Sequence, residues 1–197
     1  KFTKANMNQP INVVWFKRDL RVHDHAPLSL AAQAGLVLPI YVVEPPYWSL
    51  PDTSRRHWHF IHDSLIDLDN QLRALGSGLI IRIGDAVEIF ETLRKQYGQL
   101  ILWSHEETGN DWTYQRDKAV MAWCQAKQIP WHEVPSNGIV RRLASRDAWA
   151  KLRQERMAQT LVLAPDRLLS PKNMITEKMP SKDDKLFGSD TIGMVQA

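Results

Sequence analysis

The sequence predicts an α/β fold: a doubly wound, five-stranded parallel sheet with helices on both faces, Rossmann-like, followed by a linker. Three observations carry this expectation. Short β-branched apolar runs alternate with helix-period stretches from Ile11 to Val134. Each run is almost continuously apolar, as strands covered on both faces are. Crossovers between parallel strands are right-handed, which makes double winding the default for such an alternation.

The first strand is Ile11–Phe16, after which comes the charged loop Lys17–His25. A short helix starts near Pro27, a residue tolerated in a first helical turn, and Gly35 stops it. Leu36–Val43 is the second strand. Pro39 inside it implies an edge or a bulge, because proline cannot donate to a ladder. Glu44–Thr53, with three prolines, Tyr47 and Trp48, is expected as a loop. Ser54 caps a long helix on which Trp58, Ile61, Leu65, Leu68, Leu72 and Leu75 recur at steps of three and four.

Leu79–Ile83 is the third strand, and Asp85 caps a helix with Val87, Phe90 and Leu93 inward. Leu100–Trp103 is the fourth strand. A polar loop, Ser104–Gly109, leads into a helix from Asn110 to about Lys127 with Trp112, Arg116, Ala119, Val120 and Trp123 along one side. Trp131–Val134 is a weaker fifth strand. Ser145–Met157 forms one more helix, with Trp149, Leu152 and Arg156 spaced for a common side. From 159 to 197 the chain has three prolines, many charges and no sustained period. It reads as an extended connection awaiting something to pack on. The expected organisation is a tail over 1–10, an α/β domain over 11–158 and a linker over 159–197; Met7 stands where a native start would fit.

Composition narrows the class. Of 197 residues, 44% are hydrophobic and 24% charged, enough to bury one core. No apolar run approaches the roughly 20 residues that span a bilayer, and no signal peptide is apparent. The single cysteine, Cys124, excludes an intrachain disulfide and fits a reducing cytoplasm. A net charge of +3 is too small and too scattered to mark a nucleic-acid stripe.

Ligands of open parallel sheets bind beyond the carboxyl ends of the strands, where the winding reverses. The loops after strands one, two and four therefore matter most. The first has no G-x-G-x-x-G turn, which argues against an ordinary NAD or FAD site, and no Walker loop occurs. One reading of Lys17–His25 is a charged loop in which Asp19 and Asp24 pair with Arg18 and Arg21. His57, His59 and His62 do not share a helix face with cysteine or carboxylate partners, so zinc is not expected there. Cys124 is expected to be a packed residue, and the eight tryptophans to be mostly core.

As a string, Trp15-Phe16-Lys17-Arg18-Asp19-Leu20-Arg21-Val22-His23-Asp24-His25 is similar to the W-F-R-x-D-L-R-x-x-D-N signature of the DNA photolyase/cryptochrome family, with Lys17 and His25 departing from it. The resemblance extends through the Pro-rich exit of strand two, the helix from Arg55, the loop His105–Asn110, Gly138-Ile139-Val140 and the Trp149 helix. It implies the N-terminal, antenna-binding α/β half of a two-domain flavoprotein. The parent would hold FAD in a helical domain, act on damaged DNA by light-driven repair of pyrimidine dimers, or signal blue light. The fragment alone would be monomeric, bind no FAD and repair nothing.

The resemblance also implies antenna contacts. A folate antenna (methenyltetrahydrofolate) would meet Asn110 and Asp111, where the family has Asn-Glu; the shorter Asp111 leaves helix capping as an equal reading. A deazaflavin or flavin would instead sit among Arg18, Glu44, Tyr47, Trp48, Arg55 and Glu106, with the aromatics stacking and the arginines meeting anionic groups. The other reading of Tyr47 and Trp48 is as cover for the sheet edge. A rival function is a non-catalytic nucleotide- or partner-binding module on the same architecture.

Overall fold

The structure, a computed structural model, describes residues 9–136 and 149–184. The expected Gly138-Ile139-Val140 segment, the start of the last helix, residues 1–8 and the end of the tail lie outside the described residues. Five parallel strands, β1 (Ile11–Phe16), β2 (Val37–Val43), β3 (Ile80–Ile83), β4 (Leu100–His105) and β5 (Trp131–Val134), form one sheet in the order β3-β2-β1-β4-β5. The order runs outward one way from β1, then reverses between β1 and β4, as the double winding requires.

Alternation along the strands divides the core. Val13 and Trp15 face one side with Leu38, Ile40 and Val42, covered by α4 (Ala86–Tyr97) and α5 (Asp111–Lys127). Val14 and Phe16 face the other with Tyr41 and Val43, covered by α1 (Ala26–Ala34) and α3 (Arg55–Ala74). The caps follow side-chain chemistry: Ser54 accepts from the His57 N–H, and Asp85 from those of Val87 and Glu88. On α3, Trp58, Leu65, Leu68 and Leu72 are buried. α5 buries Thr113, Asp117, Val120 and Cys124, so its inward stripe is centred on Asp117; Ala119 is exposed and Trp112 and Trp123 are half-buried. Burial pushes the Cys124 thiol up to about 12, consistent with a packed, inert cysteine.

Three features differ from the sequence reading. Pro45–Trp48 forms a short helix, α2, inside the expected loop. Pro39 lies in an interior strand, but pairing to β3 begins only at Ile40↔Ile80. Two residues before it, the Val37 N–H leaves the sheet for the Leu169 carbonyl. Pro39 is thus at a local edge, where its missing donor breaks no ladder bond. Of the eight tryptophans, only Trp15, Trp48 and Trp58 are buried, and Trp149 is 44% exposed on α6 (Trp149–Met157), a helix with no buried residue.

The larger difference is the tail. Expected to await a partner, it is strapped to its own domain over the described residues. Backbone bonds join Asp24 to Val162, Leu168 to Leu75 and Glu177 to Ile81, and the Trp58 indole donates to the Ser181 carbonyl. The Glu177 and Thr176 bonds lie along β3, covering the edge that an open sheet leaves exposed. Leu168 is 2% exposed and belongs to the α3 core. Gly76 (φ +95) turns the chain after α3, and a Cβ there would lie 3.1 Å from the Leu168 carbonyl oxygen. Among the described residues no helix is long and apolar enough to cross a membrane.

If the tail is part of the core, Leu168→Ala should lower the unfolding free energy by about 2–4 kcal/mol in urea titrations. A change near zero would show that the tail is only draped on the surface.

Candidate functional site

The reversal between β1 and β4 opens a crevice over the strand ends, and its floor is charged. Lys17, the residue after β1, is buried and its Nζ lies 3.0 Å from Asp117 Oδ2 on α5. Arg116 beside it is shared by three carboxylates: Nη1 donates to Glu44 Oε2 at 2.9 Å, Nη2 to Glu107 Oε2 at 3.1 Å, and Nε and Nη2 to Asp117 Oδ1 at 3.0 and 2.9 Å. Both cations lie 4.7 Å from the Trp15 ring centroid, so their charge rests on an aromatic face.

Among the described residues, two cations thus share these three carboxylates. Burial tends to strip the Arg116 proton, but Glu44 and Asp117 overcome this and hold it firmly charged. Burial pushes Glu44 up to about 7, because a third share in one guanidinium does not offset its desolvation. The two directions agree physically: the arginine gains from every anion, while each anion gains only part of the arginine. Glu107 also accepts from the Thr108 and Gly109 N–H groups. A Cβ on Gly109 would lie 2.7 Å from Thr113 Oγ1 and 2.9 Å from Glu107 Oε1, so a side chain there would force Thr113 and Glu107 to shift.

A second knot lies beside the first. Asp19 Oδ2 meets His25 Nε2 at 2.8 Å and His105 Nδ1 at 2.5 Å, while Oδ1 accepts from the Lys17 N–H. The suggested pairing of Asp19 with Arg18 or Arg21 is therefore not formed. Histidines reach the carboxylate from α1 and β4, and Arg21 instead meets Asp24 at an exposed 3.8 Å. Burial works against the Asp19 charge, but the two histidine hydrogen bonds outweigh it and hold the carboxyl well below its ordinary range. Burial lowers His25 below its ordinary value despite Asp19.

Asp19, His25 and His105 lie close enough to suggest a metal site. The bonding argues otherwise. His25 Nδ1 accepts the Leu28 N–H as the cap of α1. A neutral ring accepting at Nδ1 carries its proton on Nε2, which then donates to Asp19 and has no lone pair for a metal.

Above the charged floor lies a cleft of about 680 Å³, walled by Tyr47, Trp48, Phe60 and Ile61 on one side and by Arg18 and the Glu107–Asn110 loop on the other. Trp48 is buried against Trp58, with ring centroids 5.1 Å apart, and Tyr47 packs edge-on against Trp48. Phe60 is 72% exposed at this wall. Tyr41 and Glu44, both buried, reach the cleft from the end of β2.

The cleft brings together Arg18, Glu44, Tyr47, Trp48 and Asn110 of the expected residues. It does not include Arg55, exposed in the first turn of α3, nor Glu106, which lines a polar cleft with Arg21 and His105. Asp111 faces the flanking clefts and holds Gln115. Asn110 caps α5 through the Thr113 N–H and donates to Asp52. Sequence reasoning missed Tyr41, His105, Glu107 and Asp117, and saw Arg116 only as one position on a helix face. The available signals were an aspartate in the apolar stripe of α5 and a glutamate closing an apolar strand.

A family model described as DNA photolyase matches residues 12–162. The chain is 31% identical over 105 residues to a chloroplastic/mitochondrial cryptochrome DASH of Arabidopsis thaliana, covering 50% of this chain and 18% of the relative. A solved cryptochrome of Synechocystis sp. PCC6803 superposes with TM-score 0.74 at 19% identity, covering 91% of this chain and 41% of that one. An archaeal photolyase of Sulfolobus tokodaii, whose structure is described as holding two FAD molecules and implying a novel light-harvesting cofactor, gives 0.67 at 18% identity over 84% and 40%. The chain therefore spans about a fifth of the first relative and about two fifths of these solved chains.

A folded-state pKa depressed in His25 means that its contribution to stability is present above the unfolded value of 6.5 and is lost as pH falls below it. Asparagine at 25 keeps a cap acceptor and does not titrate. In urea titrations at pH 8, 7, 6 and 5, the wild-type chain should therefore lose stability relative to His25→Asn as pH falls. A gap that stays constant would contradict the buried neutral histidine.

Proposed function

The chain belongs to the DNA photolyase family, and from that premise we propose that its cleft seats a light-absorbing antenna chromophore within a photolyase- or cryptochrome-like flavoprotein. The observation that carries the reading is the aromatic wall. Phe60, largely exposed, and half-buried Tyr47 face a cleft beside the sheet's switch point, and exposed aromatics on a concave wall fit a flat ligand. Trp48, fixed by Trp58, gives that wall a rigid backing. Arg18, exposed at the rim, suits an anionic ring or polar tail.

These residues favour a flavin or deazaflavin over methenyltetrahydrofolate. The folate reading relied on Asn110 and Asp111, but Asn110 is committed to its cap and to Asp52, and Asp111 points to other clefts. When bound, such a chromophore supplies absorption and excitation energy. The chain's own work is to orient it, exclude water from its face and fix the charge beneath it.

In the whole protein we assign FAD and the damaged-DNA or blue-light chemistry to a helical domain, with residues 159–197 leading to it. A monomeric chain in a reducing, cytoplasmic compartment fits the one buried cysteine. A nucleotide- or partner-binding module outside this family is not favoured, since the photolyase model covers most of the chain.

Titration of the purified chain with FMN, followed by flavin fluorescence, should reveal one saturable site. Tyr47→Ala and Arg18→Ala should each weaken it about tenfold. Tighter binding of methenyltetrahydrofolate than of FMN would overturn the tricyclic assignment, and saturable binding of neither would overturn the antenna reading.

A further inference from the structure

Two polar atoms that line the cleft, the Tyr41 hydroxyl and Glu44 Oε1, take no hydrogen bond from the described residues. The Tyr41 side chain is 6% exposed, yet its hydroxyl makes no hydrogen bond among the described residues. Glu44 is equally buried; its Oε2 takes the Arg116 Nη1–H, and its Oε1 has no donor among the described residues. Both stand at the carboxyl end of β2 and line the aromatic-walled cleft. Among the described residues the sealed side-chain atoms without a partner are His62 Nδ1 and Arg82 Nε, so the Tyr41 hydroxyl and Glu44 Oε1 still open onto the cleft and can meet a ligand there. A donor and an acceptor on the floor of an aromatic-walled cleft match a ligand edge with the reverse pattern.

Resting on the antenna reading above, we infer that Glu44 and Tyr41 recognise the edge of the cleft's occupant. That occupant is a planar heterocycle whose lactam- or imide-type N–H donates to Glu44 and whose adjacent carbonyl or ring nitrogen accepts from the Tyr41 hydroxyl. The surrounding charges favour this polarity. Facing Glu44 are Arg116 and Asp117 from α5, Glu107 from the loop before it, Asp85 at the cap of α4, and Tyr41 on its own strand. Tyr47 on α2 and Lys17 and Arg18 after β1 complete the ring around the cleft floor. Glu44 shares the Arg116 guanidinium with Glu107 and Asp117, so its carboxylate can take a further N–H donor and resists a ligand carboxylate.

The arrangement sets a pH dependence with a definite sign. An N–H donor needs ionised Glu44, and burial, opposed by Arg116 and reinforced by Asp85 and Asp117, places that carboxyl near 7. Binding should therefore tighten as pH rises from 6 to 8. Burial and Glu44 raise the Tyr41 phenol, so it remains a donor throughout.

The test uses lumiflavin, which has an imide N–H, and 3-methyllumiflavin, which lacks it, with the 197-residue chain and fluorescence quenching at pH 6 and 8. The wild-type chain should bind lumiflavin about tenfold more tightly than its methylated form at pH 8, with the difference reduced at pH 6. Tyr41→Phe should weaken lumiflavin about fivefold with an unchanged circular dichroism spectrum. Glu44→Gln should abolish the pH dependence. Because the methylated probe needs no mutation, the outcome does not hinge on the variants folding. Saturable binding that ignores methylation and pH would overturn this inference and leave the antenna reading standing. No saturable binding of lumiflavin, FMN or methenyltetrahydrofolate would overturn both.

Discussion

A single guanidinium holds the ends of the central strands in register with the loops that follow them. Arg116 lies on Trp15 of β1, donates to Glu44 at the end of β2 and to Glu107 after β4, and grips its own neighbour Asp117, which takes Lys17. Buried ion pairs contribute little net stability against apolar replacements, because desolvation consumes most of the Coulombic gain. Losing one partner is another matter, since it strands the remaining charges. The network is better understood as a positioning device: it holds the mouth of the crevice in one arrangement and leaves Glu44 only a share of one guanidinium.

Asp19 does similar work across the switch point. It binds the histidine that caps α1 and another from the end of β4, while its other oxygen fixes the backbone at Lys17. Winding sends α1 to one face of the sheet and α5 to the other, so the loops after β1 and β4 have no ladder to hold them together. Side-chain bonds must do so, and the local chain therefore concentrates polar residues where the strands are most apolar. Phe16 packing tilted against His25, with centroids 4.7 Å apart, ties this polar knot to the core beneath.

Much of the fold was legible because periodicity is local. The spacing of Trp58, Leu65, Leu68 and Leu72 needs no distant partner to declare a helix face, and Ser54 and Asp85 announce their helices by chemistry alone. The site was legible only in part. Arg18, Glu44, Tyr47 and Trp48 lie on the loops that double winding points to. His105 joins Asp19 across 86 residues and Arg116 joins Glu44 across 72, distances over which a sequence carries no pairing signal without relatives to compare. The tail was misread for a related reason. Its attachment is mostly through backbone groups, at Val162, Leu168 and Glu177, and backbone hydrogen bonds leave no mark on residue type. Asp111 left two readings open because a carboxylate at a helix start serves capping and ligand binding equally well.

The central claim is spatial: a flat ligand lies over the charged floor at the strand ends, between the α2–α3 wall and the Gly109 loop. Amide chemical-shift mapping of the isotopically labelled chain during titration with FMN addresses it directly. Perturbations gathered at Arg18, Tyr41, Glu44, Tyr47, Phe60 and Gly109 are the predicted result. Perturbations gathered instead around α1, α6 or the tail, with those six residues unmoved, would contradict it.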